Sequence, residues 1–209
     1  MNNLDTSTGL RQNRATLRLT ELVRLGFSLL FCFAMQPGMA IDAKATRFYE
    51  DAQARYDKKD YEGSIIQLKN ALQIDKNMPP ARVLMGKALL RSGDPAGAEI
   101  SFTDAMAGGV PRAEVVVFLA QAYLGQGKQK QIFEQPLFDT AGLPGLVKQQ
   151  LLLVRAAAAA DVGELNRALK IIDDARAIDP NFADLWVAEV PVRIRLRQFK
   201  EAAAAVDRA

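Results

Sequence analysis

Residues 60–105 read DYEGSIIQLKNALQIDKNMPPARVLMGKALLRSGDPAGAEISFTDA. Asp60 opens the stretch, and Asp94 repeats it after one period of about 34 residues. The same short interval separates Asp60 from Ala71, Asp94 from Ala105 and Glu164 from Ala175. From Ala105 to Ala175 the chain runs through two such periods with a two-residue insertion. A fixed period of this size marks an array, in which one unit cannot bury its own apolar face and must stack on the next. Gly93, Gly127 and Gly163 fall where a first helix should end, and Pro180 falls where a second helix should stop.

A 34-residue period of two helices is the signature of the tetratricopeptide repeat (TPR). The units fall at about 45–78, 79–112, 113–146, 149–182 and 183–209. The expected fold is therefore all-α: a TPR α-solenoid, a right-handed superhelix of antiparallel helix pairs, over residues 41–209. Small residues are needed where two helices approach closely, and Ala52, Gly86, Ala120 and Ala156 occupy those positions. Leu68, Phe102 and Ile172 are the large residues of the second helices. Asp179-Pro180-Asn181 ends the fourth unit, and Asp75-Lys76-Asn77 ends the first without the proline. The third unit is irregular: its first helix runs through Val115–Leu124, but Pro136 and Gly142-Leu143-Pro144-Gly145 break the second. The apolar run at 151–160 is too short to span a bilayer and holds Arg155, so it reads as a helix buried between neighbours. The last unit stops at Ala209, after Ala202–Ala205 and Val206, without the polar cap of a terminal repeat. The expectation is a fragment of a longer chain, or an end that another protein covers.

Residues 1–40 read as an address. Arg11, Arg14, Arg18 and Arg24 precede the apolar run Leu25–Met35, and Gly38 and Ala40 are the small residues of a cleavage site after Ala40. A bilayer needs about 20 apolar residues, so this run is a signal peptide, with an uncleaved anchor as its rival. Cys32 follows Phe31 rather than the small residue a lipoprotein signal wants, and reads as part of the apolar core. Export to the periplasm or envelope is the expected localisation, with membrane contact only through this segment.

Composition excludes several chemistries. The chain of 209 residues has no histidine and one cysteine, which removes His triads, His-ligated metals and Cys-cluster zinc. Its net charge of +3, without a basic stripe among aromatics, argues against nucleic acid. Asp173 and Asp174 are adjacent on a helix and point about 100° apart, so they do not converge as a catalytic pair. GQGK at 125–128 lacks the length and the Ser/Thr of a phosphate loop. No cofactor and no enzyme activity are expected.

The strings IQLKNAL (66–72), LMGKAL (84–89), Gly93-Asp94 with Ala98-Glu99, and Gly109-Val110 with a run ending LAQAYL resemble the opening of the PrsT-type TPR proteins of the PEP-CTERM/exosortase system. That resemblance covers the chain beyond the signal. It implies a Gram-negative envelope scaffold, tied to exopolysaccharide production and to sorting of exported proteins. Members of that family often carry a lipoprotein Cys before the first repeat and are several times longer.

In the TPR pattern the first helices line a concave groove. The positions that face it here are Tyr49, Gln53, Tyr56 and Asp57 in the first unit, Val83, Lys87, Leu90 and Arg91 in the second, and Val117, Gln121 and Leu124 in the third. Lys87 and Arg91 are four apart and share a helical face, where they could hold a carboxylate. Tyr49 and Tyr56 could stack on a sugar or pack a peptide side chain. The partners this implies are envelope proteins or peptide segments, or alternatively an acidic polysaccharide. A solvated face for the cations and repeat packing for Tyr56 are the plainer alternatives.

Overall fold

A computed structural model describes residues 43–208 of the chain. The leader with its cleavage position at Ala40, Cys32 and the terminal Ala209 lie outside the described residues. The described residues form five successive helix pairs. These are α1 (Ala43–Asp57) with α2 (Tyr61–Ile74), α3 (Pro79–Ser92) with α4 (Pro95–Ala107), α5 (Arg112–Gly125) with α6 (Gln129–Glu134), α7 (Gly145–Asp161) with α8 (Leu165–Arg176), and α9 (Asp184–Arg195) with α10 (Phe199–Val206). A 3-10 turn at Pro136–Phe138 follows α6, and no strand occurs among the described residues. The architecture is an all-α solenoid of the TPR type.

The turns inside each pair are built by short-range chemistry. Asp60 caps α2 by accepting from the Gly63 amide at 3.0 Å, and Asp94 caps α4 by accepting from Gly97 at 2.8 Å. Gly93, Gly127 and Gly163 close their first helices with left-handed backbone, at φ 87°, 73° and 84°. Between pairs, an aspartate folds over the backbone two residues on. Asp75 accepts from Asn77 and Asp179 from Asn181, at 2.8 and 2.9 Å. Asp139 does the same for Ala141 at 3.0 Å, so the irregular third pair keeps the same closing device.

Burial follows the small-against-large pattern. Ala52, Ala120 and Ala156 are buried, as are Leu68, Phe102 and Ile172. Gly86 lies against Phe102, so close that a Cβ there would stand 2.6 Å from the ring. The core is continuous in kind but divides into three clusters, each shared between neighbouring pairs: one over α1–α3, one over α4–α7 and one over α7–α9.

The third pair replaces most of a helix with packed irregular chain. Pro136 cannot donate an amide, and α6 stops after one and a half turns. Phe138 then turns inward, fully buried, edge-on to Tyr123 with ring centroids 4.9 Å apart. Arg112 spans the segment with three donations, to the carbonyls of Leu137, Asp139 and Ala141 at 2.9, 2.8 and 3.2 Å. The carbonyls that a helix would have satisfied are met by one guanidinium.

Later pairs are joined by buried polar groups. Gln149 of α7 is buried and donates to the carbonyls of Ala175 and Asp179, at 3.0 and 2.8 Å, closing the end of α8. Glu189 of α9 is buried and takes hydrogen bonds from Arg176 and Arg193.

Candidate functional site

The first helices α1, α3, α5, α7 and α9 touch in sequence along one side of the array. Two recesses open between them. The first has a volume of about 360 Å³ and is lined by Tyr49 and Gln53 of α1, Val83 and Lys87 of α3, and Glu114 of α5. The turn Gly108–Pro111 and Pro79-Pro80 close it at one end. The second has a volume of about 390 Å³ and lies between α5, α7 and α9. Val117, Phe118, Gln121 and Leu124 form one wall, Leu153, Val154 and Ala157 the opposite one, and Asp184, Val187 and Ala188 the far end.

Phe118 lines the second recess and touches Lys87 of the first. Its ring carries the Lys87 ammonium 4.8 Å from the centroid and stacks on Phe102 at 5.8 Å. A cation over an aromatic face is attracted by the negative face of the ring. Among the described residues Lys87 has no carboxylate within ion-pair distance, and neither has Arg91, which is exposed.

The groove residues read from the sequence divide three ways. Tyr49, Gln53, Val83 and Lys87 meet in the first recess, and Val117, Gln121 and Leu124 meet in the second. Tyr56, Leu90 and Arg91 line neither. The pairing of Tyr49 with Tyr56 as a platform is not assembled. Tyr56 lies in the last turn of α1, where the chain folds back, and packs edge-on against Tyr61 of α2 at 5.4 Å. Leu90 packs on the central apolar cluster. Asp57 accepts from Gln53 at 2.9 Å. Sequence reading missed Phe118, Glu114 and the turn at 108–111. It counted Val117 as groove-facing and passed over its neighbour, although Phe118 lines the second recess and carries Lys87 on its ring. The walls from α7 and α9 were missed because the count stopped at the third unit.

Some charged groups away from the groove link neighbouring elements. Glu99 accepts from Lys128 and Gln126, each at 2.6 Å. Burial pushes its carboxyl up, but the hydrogen bonds from Lys128 and Gln126 outweigh that and leave it below the ordinary glutamate range. Burial, then the Glu99 charge, pushes the neighbouring Tyr123 phenol up. The Arg155 and Arg167 guanidinium groups share the Phe133 ring at 5.3 and 4.0 Å, and burial followed by Arg167 pulls Arg155 down. Asp173 is paired with Arg176. Among the described residues no group of three or more His, Cys, Asp or Glu is placed to hold a metal ion, and no helix is long and apolar enough to cross a membrane. The groove presents a cation, Lys87, beside a largely apolar recess.

Fold and groove together define a tetratricopeptide-repeat α-solenoid. Its structural likenesses are to TPR proteins. MamA 41-end from Desulfovibrio magneticus RS-1 matches with a TM-score of 0.61 at 17% identity, over 80% of this chain and 94% of that one. A MamA RS-1 double mutant matches at 0.63 and 19%, over 81% and 94%. PilF of Pseudomonas aeruginosa matches at 0.62 and 13%, over 80% and 75%. At such identities the likeness is one of fold. No family model matches the chain, and no curated protein matches it closely in sequence.

Proposed function

We propose that this chain is a non-catalytic scaffold that holds a peptide segment of a partner protein along its first-helix groove. The observation that carries the reading is the pair of recesses along the first helices, one edged by Lys87 and the other, which Phe118 lines, largely apolar. A surface of this kind recognises extended chain and performs no bond chemistry. The neighbours in fold support a scaffold, being TPR proteins.

The finer reading places the scaffold in a Gram-negative envelope, exported through the leader at 1–40. There it would serve exopolysaccharide production and PEP-CTERM/exosortase-type sorting. Its support is the basic-apolar-small pattern ending at Ala40 and the PrsT-like strings between residues 66 and 124. Direct binding of an acidic exopolysaccharide is the second reading, favoured only by the uncompensated Lys87 and Arg91.

A photo-crosslinking residue at Gln121, on the groove, and one at Lys69, on the exposed face of α2, test the scaffold in the native cell. Adducts with envelope proteins at 121 and not at 69 are the expected result. Equal adducts at both positions, or none at 121, would overturn it. N-terminal sequencing of the native protein tests export: the expected first residue is Ile41, and a retained Met1 in the cytosolic fraction refutes it.

A further inference from the structure

The first and last described helix pairs present opposite kinds of surface. On α1, Arg47, Glu50 and Lys58 are exposed, and they stand where α9 turns Leu185, Ala188 and Leu196 onto the preceding pair. On the last pair, Ile194, Phe199 and Val206 are 49%, 64% and 58% exposed, and Ala203 is exposed among them. One repeat period earlier the same positions hold Ala160, Leu165, Leu169 and Ile172, which are buried or half-buried in the cluster that the fifth pair covers. Beside this apolar stripe stand Lys200 and Asp207, both exposed and neither in an ion pair among the described residues. From these we infer that the α10 face is a self-association surface, on which a second copy of this chain docks by the same face, antiparallel and two-fold related. The inference goes beyond the scaffold reading and needs no assumption about what the groove holds.

The stripe is its own complement. Phe199, Ala203 and Val206 recur at i, i+4 and i+7 and share one face of α10. With the two-fold axis beside Ala203, that alanine meets its counterpart and lets the helices approach, while Phe199 meets Val206 of the second copy. Lys200 and Asp207 are seven positions apart, hence on one flank of the stripe. Reversing the direction of one helix brings Lys200 of each copy to Asp207 of the other. A foreign helix offers the apolar stripe cover, but gives no reason for its flanking charges to mirror each other. Head-to-tail stacking would bury Arg47, Glu50 and Lys58 of α1 beneath apolar side chains, which is costly. The contact therefore closes on a pair instead of growing a filament. The helix α10 is only about 12 Å long, and a face of that length falls short of the roughly 1,200 Å² of total area that a stable complex buries. The association is accordingly reversible. Two joined copies carry two grooves, so a partner with two matching segments is held with avidity.

Sedimentation equilibrium of the purified full chain, from micromolar to millimolar concentration, tests this. The weight-average mass of the wild type is expected to rise with concentration towards that of a dimer and no further. Lys200→Asp alone and Asp207→Lys alone each set like charges opposite one another, and each is expected to weaken association at least about tenfold. An equimolar mixture of the two variants restores both opposite-charge contacts and is expected to associate like the wild type. Association through any other surface would ignore these reversals. Ala203→Cys in a Cys32→Ser chain, oxidised mildly in the native cell, is expected to give a disulfide-linked homodimer, and Lys69→Cys on α2 is expected to give none. A chain monomeric throughout the range, growth beyond a dimer, or a mixture no tighter than its single variants would overturn the inference. Capture of a different protein by Ala203→Cys, without the homodimer, would assign the face to a partner's helix and overturn it equally. Each of these leaves the scaffold reading standing.

Discussion

Lys59 and Gly93 occupy the same place in consecutive helix pairs and share one backbone conformation, left-handed, at φ 63° and 87°. Gly127, Gly163 and Arg197 continue the series, the last at φ 61°. The hydrogen bonds show why the turn demands it. Asp60 donates its amide to the Arg55 carbonyl at 3.0 Å, and Asp94 donates to that of Leu89 at 2.8 Å. Left-handed backbone at the preceding residue aims that amide back five positions. Three pairs use glycine there; the first and fifth force a long side chain into the conformation.

An L-residue in that conformation carries a cost of about 1–2 kcal/mol, against about 0.4–1 kcal/mol for the extra freedom glycine gives the unfolded chain. Lys59→Gly and Arg197→Gly should each therefore stabilise the protein by roughly 0.5–1 kcal/mol. Gly93→Ala should destabilise by a similar amount, although nothing lies within 4 Å of its Cβ position, because the cost is purely in the backbone. Urea unfolding of the three variants decides the matter: opposite signs are expected, and a loss of stability in Lys59→Gly would show that its side chain contributes more than its backbone costs.

Gly86 meets the Phe102 ring across the α3–α4 crossing, and an added Cβ would stand only 2.6 Å from it. Alanine in mid-helix gains about 1 kcal/mol over glycine in propensity. Overpacking a filled core costs about 1–3 kcal/mol, and Phe102 is fully buried, so it has no room to retreat. Gly86→Ala is expected to lower stability by about 1 kcal/mol net. Phe102→Leu in the same chain should recover part of that loss, seen as a favourable coupling in a double-mutant cycle by thermal unfolding. Independent, additive losses would mean that the two residues do not crowd each other.

That contact was legible in the sequence, since Gly86 and Phe102 stand at the small and large positions of one repeat. The period, the caps at Asp60 and Asp94 and the glycine turns were legible for the same reason: each depends on residues within a few positions of one another. The Arg112 bonds were not. They join one side chain to carbonyls 25 to 29 residues away, and a carbonyl belongs to every residue, so no residue type marks the acceptor. The groove was legible in part. Helical spacing placed Tyr49, Gln53, Val83 and Lys87 on one face, but spacing says nothing about where a helix ends against its partner, which is what draws Tyr56 onto Tyr61. Phe118 escaped because the repeat pattern marks its neighbour Val117 as groove-facing and not Phe118 itself, which also lines the second recess.

Arg112 should act locally. Lysine keeps the charge but loses the planar fork that reaches three carbonyls. In Arg112→Lys, amide exchange at Phe138, Asp139 and Ala141 is expected to quicken at least tenfold, while amides of α2 keep their wild-type rates. Acceleration spread evenly over α2 would instead place Arg112 in the global fold. Phe138→Ala is the contrasting variant. It empties a fully buried site and is expected to cost about 3–5 kcal/mol, lowering the thermal midpoint of the whole third pair.

Glu99 couples α4 to the turn after α5. Burial pushes its carboxyl up, yet the bonds from Lys128 and Gln126 prevail and hold it below the ordinary glutamate value of 4.5. A carboxyl depressed in the folded state adds stability above its unfolded value. That contribution is lost as pH falls through the depressed folded value, when the proton breaks the bonds. Wild type should therefore exceed Glu99→Gln in stability at pH 7, by about 1 kcal/mol for a partly screened pair. The gap should close on acidification from about pH 4.5 downward, since the protonated acid and the amide are then alike. Urea unfolding at pH 7 and at pH 3 measures it, and an NMR titration of Glu99 locates the midpoint. A gap that persists undiminished at pH 3 would assign the effect to packing of the longer polar network around Tyr123 rather than to the charge on Glu99.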